Sequence, residues 1–200
     1  MIIASNNKGK IKQIKQIFEN VELQSLAEAG VDVDVEEDAD SFLGNAIKKA
    51  KAIFELTGKP TLADDSGMCI DYLDGYPGVM THRFLGENIT AEQRNAWILE
   101  QLKDVPYEKR GAKIYCALAV CDSEGNVTSV CEFVERKIAF ESKGDNFFGF
   151  DSITLIEDGV TAAMLTDEQK NQVSARRKAC EKLKEVLLNK GEKLGFGKFE

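Results

Sequence analysis

Two adjacent carboxylates, Asp64 and Asp65, stand in the stretch Thr61-Leu62-Ala63-Asp64-Asp65-Ser66-Gly67, with apolar residues on either side. A strand that delivers acids at its end and then turns on a glycine presents either a general base or ligands for a hard cation. The same seven residues also describe an acidic surface turn, because Asp, Ser and Gly are ordinary turn residues. Taken alone, the stretch favours the turn. Other groups with chemical potential are spread along the chain. Ser5, Asn7 and Lys10 follow the first apolar run, and an acidic run covers Glu36-Glu37-Asp38-Ala39-Asp40. Asn45 and Lys49 are four apart and share one helix face. Three aromatics and two glycines crowd 144–151, and Lys170 and Arg176 lie near the C-terminus.

Composition narrows what these groups can do. The chain has 200 residues, 43% of them hydrophobic, enough for one good-sized domain. A net charge of −8 is the wrong sign for a duplex nucleic-acid binder or an anionic membrane surface. A phosphate-bearing ligand therefore needs a local cluster of Lys and Arg, a cation, or both. No apolar run has the length of a membrane span, and the N-terminus reads as a core strand rather than a signal peptide. The five cysteines, Cys69, Cys116, Cys121, Cys131 and Cys180, are odd in number and contain no C-x-x-C pair. Four lie in strand-like runs and read as buried thiols of a reducing, cytoplasmic compartment. His82 is the single histidine. Two-His metal sites within one chain are thereby excluded, leaving carboxylates, lysines and a hard cation.

The elements that must position these groups follow from periodicity. Met1 to Ala4 is a short strand, and Ile11, Ile14, Ile17 and Phe18 give an amphipathic helix after a polar turn. Such a turn can receive phosphate, although capping by Ser or Asn explains it equally well. Val31, Val33 and Val35 alternate with Asp32 and Asp34 as in a strand, and Ser41 caps a helix to about Thr57. Met68 to Leu73 is a strand after the acidic turn. Thr90 with Gln93 forms a capping box for a helix through Trp97 and Leu102. Lys113–Cys121 and Val127–Phe140 make a long hairpin, and Asp158-Gly159 makes a hairpin turn. Thr166 with Gln169 opens one last long helix through Leu187. The order is that of a single α/β domain over 1–200, either one body or two lobes with a cleft.

Seven motifs now stand in one order: S-x-N-x-x-K, an acidic run, N-A-x-x-K-A, A-D-D-S-G, G-x-P-G, F-G-F-D and K-N-x-x-S-x-R. The set closely resembles the Ham1/RdgB family of inosine triphosphate pyrophosphatases, and the resemblance runs from Ala4 to about Leu187. It implies an ITPase-like fold: a single mixed, twisted sheet with flanking helices and two lobes around a central cleft. It also implies hydrolysis of purine nucleoside triphosphates to monophosphate and pyrophosphate with Mg2+, by a cytoplasmic homodimer. Ser5, Asn7, Lys10, Lys49 and Ser66 would hold the phosphates. Glu37 and Asp65 would ligate Mg2+, with Glu36 the second choice. Asp65 would also be the proton acceptor, assisted by Asp64. Phe148, Gly149, Phe150, Asp151, Lys170 and Arg176, together with position 175, would read the base. These roles suit the donors and acceptors concerned.

Departures from the family pattern fall near the base. The usual S-H-R is Ser174-Ala175-Arg176, the usual G-Y-D-P is Gly149-Phe150-Asp151-Ser152, and Gly44 precedes Asn45. His82 beside Arg83 either replaces the missing histidine or is incidental, and the incidental reading is favoured. The sequence thus points to retained pyrophosphohydrolase chemistry on ITP, XTP or dITP. Two alternatives stay open: the same chemistry on ordinary or otherwise modified (d)NTPs, and a nucleotide-binding regulator with little turnover.

Overall fold

The computed structural model describes residues 1–86 and 88–190. The elements run β1 (Ile2–Ile3), α1 (Lys8–Ile17), β2 (Gln24–Ser25), α2 (Phe42–Thr57), β3 (Thr61–Ile70) and α3 (Ala91–Gln101). Then follow β4 (Gly111–Cys121), β5 (Val127–Ile138), β6 (Thr154–Glu157), β7 (Val160–Thr161), α4 (Asp167–Gln172) and α5 (Ala175–Asn189). All seven strands join one mixed sheet in the order β2-β1-β3-β4-β5-β6-β7. β1 is parallel to both β2 and β3, so each link needs a crossover, supplied by α1 and α2. β5, β6 and β7 pair antiparallel; the long segment 139–153 links β5 to β6, and a two-residue turn links β6 to β7. This is the expected single mixed sheet with flanking helices.

Two compact units divide the chain. The first takes 1–65, 116–132 and 176 onward; the second takes 66–115 and 133–175. In the first, Ile2, Ile3, Ile14, Ile53, Leu62, Leu118 and Leu183 are buried. In the second, Met68, Ile70, Phe84, Ile98, Leu102, Val105, Ala112, Ile138 and Ile153 form one apolar cluster.

Local chemistry explains most boundaries. Asn7 caps α1 by accepting from the N–H groups of Gly9 and Lys10, and Ser41 caps α2 through the N–H of Gly44. α2 ends on Gly58, whose φ of 64° is the left-handed conformation a glycine adopts without steric cost. Both expected capping boxes, Thr90 with Gln93 and Thr166 with Gln169, are formed. The turn at Asp158-Gly159 joins β6 to β7.

Four sequence expectations are corrected. The alternating segment 31–35 is not a strand; its valines are half-buried and its aspartates exposed without a hydrogen-bonded ladder. Alternation reports one-sided burial, which an irregular segment lying on a surface also achieves. β3 runs unbroken from Thr61 to Ile70, so Asp64 to Gly67 is strand interior rather than a turn. The last helix is two helices, α4 and α5. The break lies at Val173-Ser174, where Val173 O accepts from Arg136 and the Ser174 hydroxyl donates to Asn171 O. Among the cysteines, Cys131 is exposed and Cys69 half-buried, whereas Cys116, Cys121 and Cys180 are buried.

One buried residue has no sequence signature. Arg110 is 0% exposed, and its guanidinium donates to the carbonyls of Leu102, Val105, Ile138 and Ala139. It also lies 4.4 Å from the centroid of the Phe140 ring. The cation is satisfied by main-chain dipoles, and in turn it closes four carbonyl ends around the second unit's core. Arg110→Met keeps much of the volume but strands those acceptors, each costing about 1–3 kcal/mol. A loss of about 3 kcal/mol, or a fall in Tm of roughly 6–12 °C in thermal unfolding, is expected.

Candidate active site

The parallel pairing of β1 with β3 sets Ile2 against Thr61 and Ile3 against Leu62. Residues just past the carboxyl end of β1 therefore lie beside Ala63 to Asp65 of β3. That is the end of a parallel pair where ligands are commonly held. Because side chains alternate along a strand, Asp64 and Asp65 point to opposite faces of the sheet. Both are buried, at 0% and 2% exposure, yet their surroundings differ in kind.

Asp64 is enclosed by positive charge. Lys10 Nζ sits 2.8 Å from Oδ1, and Arg176 donates through Nε to Oδ2 at 2.7 Å and through Nη2 to Oδ1 at 3.3 Å. The Cys116 thiol adds a donor to Oδ2 at 3.2 Å. Arg176 Nη1 donates to Gln13 Oε1. Burial alone would raise the carboxyl of Asp64, but Arg176 and Lys10 overcome it and hold it well below the usual carboxylate range. The Cys116 thiol is pushed well up by burial and by Asp64, and the neighbouring Cys180 thiol is pushed up to about 12, chiefly by burial. Neither is a thiolate at neutral pH.

Asp65 has different neighbours. Asn45, fully buried on α2, donates Nδ2 to Asp65 Oδ2 at 3.0 Å and accepts the N–H of Ala39 at 2.9 Å. Lys49, one turn further along α2, lies 3.8 Å from Asp65 Oδ1, donates to the Asp64 carbonyl at 2.7 Å and pairs with Glu37 at 2.5 Å. Burial raises the Asp65 carboxyl above its ordinary value against the pull of Lys49, and Glu37 adds to the rise. Glu37 is half-buried and turned to this cation, whereas Glu36 is exposed.

Glu37 and Asp65 both face the Lys49 ammonium. Two hard oxygen donors addressed to one cation fit Mg2+, which takes one or two carboxylates and fills its shell with water and phosphate oxygens. Among the described residues no group of three His, Cys, Asp or Glu comes together to hold a metal. The fit is therefore to a two-carboxylate site.

The remaining expected residues have these places. The Ser5 hydroxyl accepts the N–H of Asn7, and Asn7 Oδ1 caps α1, so the capping account of this turn holds. Ser66 is half-buried on β3. In the second unit, Lys170 is 8% exposed and donates to Asp151 Oδ2 at 2.9 Å and to the carbonyl of Asn146 at 2.8 Å. Phe150 stacks on Phe84, 6.3 Å between centroids, which makes it an anchor. Phe148 is half-buried, Gly149 is exposed with φ 59°, and Ala175 is buried at the start of α5. Arg176, expected at the base edge, commits Nε and Nη2 to Asp64. His82 is exposed. The sequence analysis paired Asn45 with Lys49 by spacing but did not assign it; the i, i+4 relation was the available signal.

The opposite shifts give opposite signs. Asp64, depressed on folding, contributes stability that is complete above the unfolded value near 4 and lost as pH falls through its folded value. Asp65, raised on folding, costs stability once pH exceeds its folded value. At pH 7, Asp64→Asn leaves two buried cations without their anion and should cost about 3–5 kcal/mol in urea unfolding. Asp65→Asn keeps the Asn45 contact, removes a desolvated charge and should leave stability at pH 7 unchanged or higher.

The sequence profile of the Ham1 family matches residues 1–186. A relative from Geobacter sulfurreducens named dITP/XTP pyrophosphatase is 40% identical over 190 residues, covering 94% of this chain and 96% of its own length. One of the same name from Bacillus subtilis is 40% identical over 189 residues, covering 93% and 96%. Among solved structures, the Ham1 protein of Staphylococcus aureus superposes with a TM-score of 0.83 at 34% identity, over 94% of this chain and 98% of that one. The HAM1 protein of Coxiella burnetii gives 0.82 at 34% identity with the same coverage. With a profile spanning nearly its whole length and relatives at 40% identity, this chain belongs to the Ham1 family.

Proposed function

We propose that the chain is a Mg2+-dependent nucleoside triphosphate pyrophosphohydrolase acting on dITP- and XTP-type purine triphosphates. It works as a single ITPase-like domain over 1–200, in a cytoplasmic homodimer. The observation that carries the reading is the divergence of two adjacent acids. Environments that push neighbouring carboxyls in opposite directions mark the group that handles the proton. Asp64 is locked as an anion by Lys10 and Arg176. Asp65 has a raised affinity for a proton and is aimed by Asn45.

In this reading water attacks the α-phosphorus and passes a proton to Asp65. The bond between the α-phosphorus and the oxygen bridging to the β-phosphate breaks, and that oxygen keeps the electron pair and leaves with pyrophosphate. Glu37 and Asp65 would hold Mg2+, which when bound neutralises charge on the departing pyrophosphate. Ser5, Asn7, Lys10, Lys49 and Ser66 are the phosphate contacts, with Lys10 held in place by Asp64. Phe148 stacks on the base while Gly149 and Phe150 shape its loop, and Asp151, tied to Lys170, reads a polar edge. Arg176 acts through Asp64. Ala175 offers no donor, which supports the second reading: the same chemistry with a base range wider than inosine and xanthine.

The test is a panel of ITP, XTP, dITP, the ordinary purine and pyrimidine triphosphates, with and without Mg2+. Monophosphate and pyrophosphate are expected, fastest for the 6-oxopurines. Orthophosphate with nucleoside diphosphate as products would sink the mechanism. Asp65→Asn should lower kcat by about 10²- to 10⁴-fold. Asp65 must be ionised to take the proton, so kcat/KM should fall on acidification through a value above the ordinary carboxylate pKa of about 4.

A further inference from the structure

A buried side chain outside the expected site grips the loop on which base reading would depend. Asn95 lies on α3 and is 4% exposed. Its Nδ2 donates to the carbonyl of Gly149 and to the hydroxyl of Ser152, both at 3.1 Å. A carbonyl only accepts, so the amide must present its NH2 group there, and the orientation of Asn95 is fixed by its partner. The consequence is that, among the described residues, Asn95 Oδ1 is buried with no hydrogen-bond partner. An orphaned buried acceptor is a cost that an apolar residue at 95 would avoid. What the cost secures is visible in the spacing: Gly149 and Ser152 bracket Phe150 and Asp151.

The two clamped points differ in their other restraints: the Ser152 carbonyl also accepts the N–H of Lys143 at 2.9 Å. Gly149 sits at φ 59°, and a glycine has the widest conformational freedom of any residue. Ser152 is 2% exposed, within a short 3-10 turn over Asp151–Ile153. Between them, Phe150 is seated against Phe84, and Asp151 is held by Lys170. Three ties, from α3, from the Phe84 ring and from α4, therefore fix one short segment. Asn95 alone reaches both of its ends.

We propose that Asn95 is a positioning residue for base selection, holding the Gly149 carbonyl and the Ser152 hydroxyl so that Phe148 and Asp151 meet the base in one geometry. The inference rests on the functional reading above, and its effect is on discrimination rather than on the phosphorus chemistry. The hydrogen bonds that the clamp makes go to Gly149 and Ser152, whereas Asp65 is aimed by Asn45 and paired with Lys49.

The experiment measures kcat and KM for ITP, dITP, ATP and GTP with the wild type, Asn95→Ala and Ser152→Ala, alongside thermal unfolding. Ser152→Ala removes one of the two contacts and serves where Asn95→Ala folds poorly. Expected is a rise in KM for ITP with kcat nearly kept, and a fall in the ITP-to-ATP ratio of kcat/KM. The fall should be about five- to ten-fold for Asn95→Ala, the scale of one or two neutral hydrogen bonds, and smaller for Ser152→Ala. A purely structural role would lower Tm and depress all four substrates alike. An unchanged ratio in a folded variant overturns the proposal while the functional reading stands. A wild type that releases pyrophosphate from none of the four overturns both.

Discussion

Asp64 is the charge on which the first unit depends. That unit is assembled from three separated stretches of chain, and Asp64 is bonded to a residue from each: Lys10 from the first, Cys116 from the second and Arg176 from the third. A fully buried carboxylate with two cations and a thiol on its oxygens becomes a stranded charge in any compact arrangement that misplaces its partners. Its ionisation, its two partners and the closure of the three stretches stand or fall together. The adjacent acid is left free of that duty. Asp65 can be kept desolvated, its carboxyl raised above the ordinary value, because its neighbour already carries the structural charge.

Much of this was legible in residue order. The caps of α1, α2, α3 and α4 follow from Asn7, Ser41, Thr90 and Thr166, whose side chains bond locally. The parallel start of the sheet follows from strands separated by amphipathic helices. Part of the polar grouping around Asp65 was also readable, because Asn45 and Lys49, four apart, share one face of α2.

What was not legible depended on partners distant in sequence. Asp64-Asp65-Ser66-Gly67 has the composition of a turn, and only Lys10, Arg176 and Asn45, brought in from elsewhere, make it acceptable as strand interior. Arg110 reads as an ordinary surface cation, because its four carbonyl partners carry no side-chain signature. The break between α4 and α5 reflects Arg136, 37 residues away from the carbonyl it captures. The assignment of Arg176 to the base overlooked the carboxylate that takes two of its nitrogens. In each case a long-range electrostatic contact outweighed a local preference.

The unbroken course of β3 has a consequence for how such a chain can change in length. In a loop, an added or deleted residue shifts a side chain by an ångström or two and is absorbed. Within β3, one inserted residue before Ala63 would exchange the two faces, turning the carboxylate partner of Arg176 toward α2 and the partner of Asn45 toward Lys10. The two acids are told apart by parity alone, since they are chemically identical. Length variation is therefore barred from this strand.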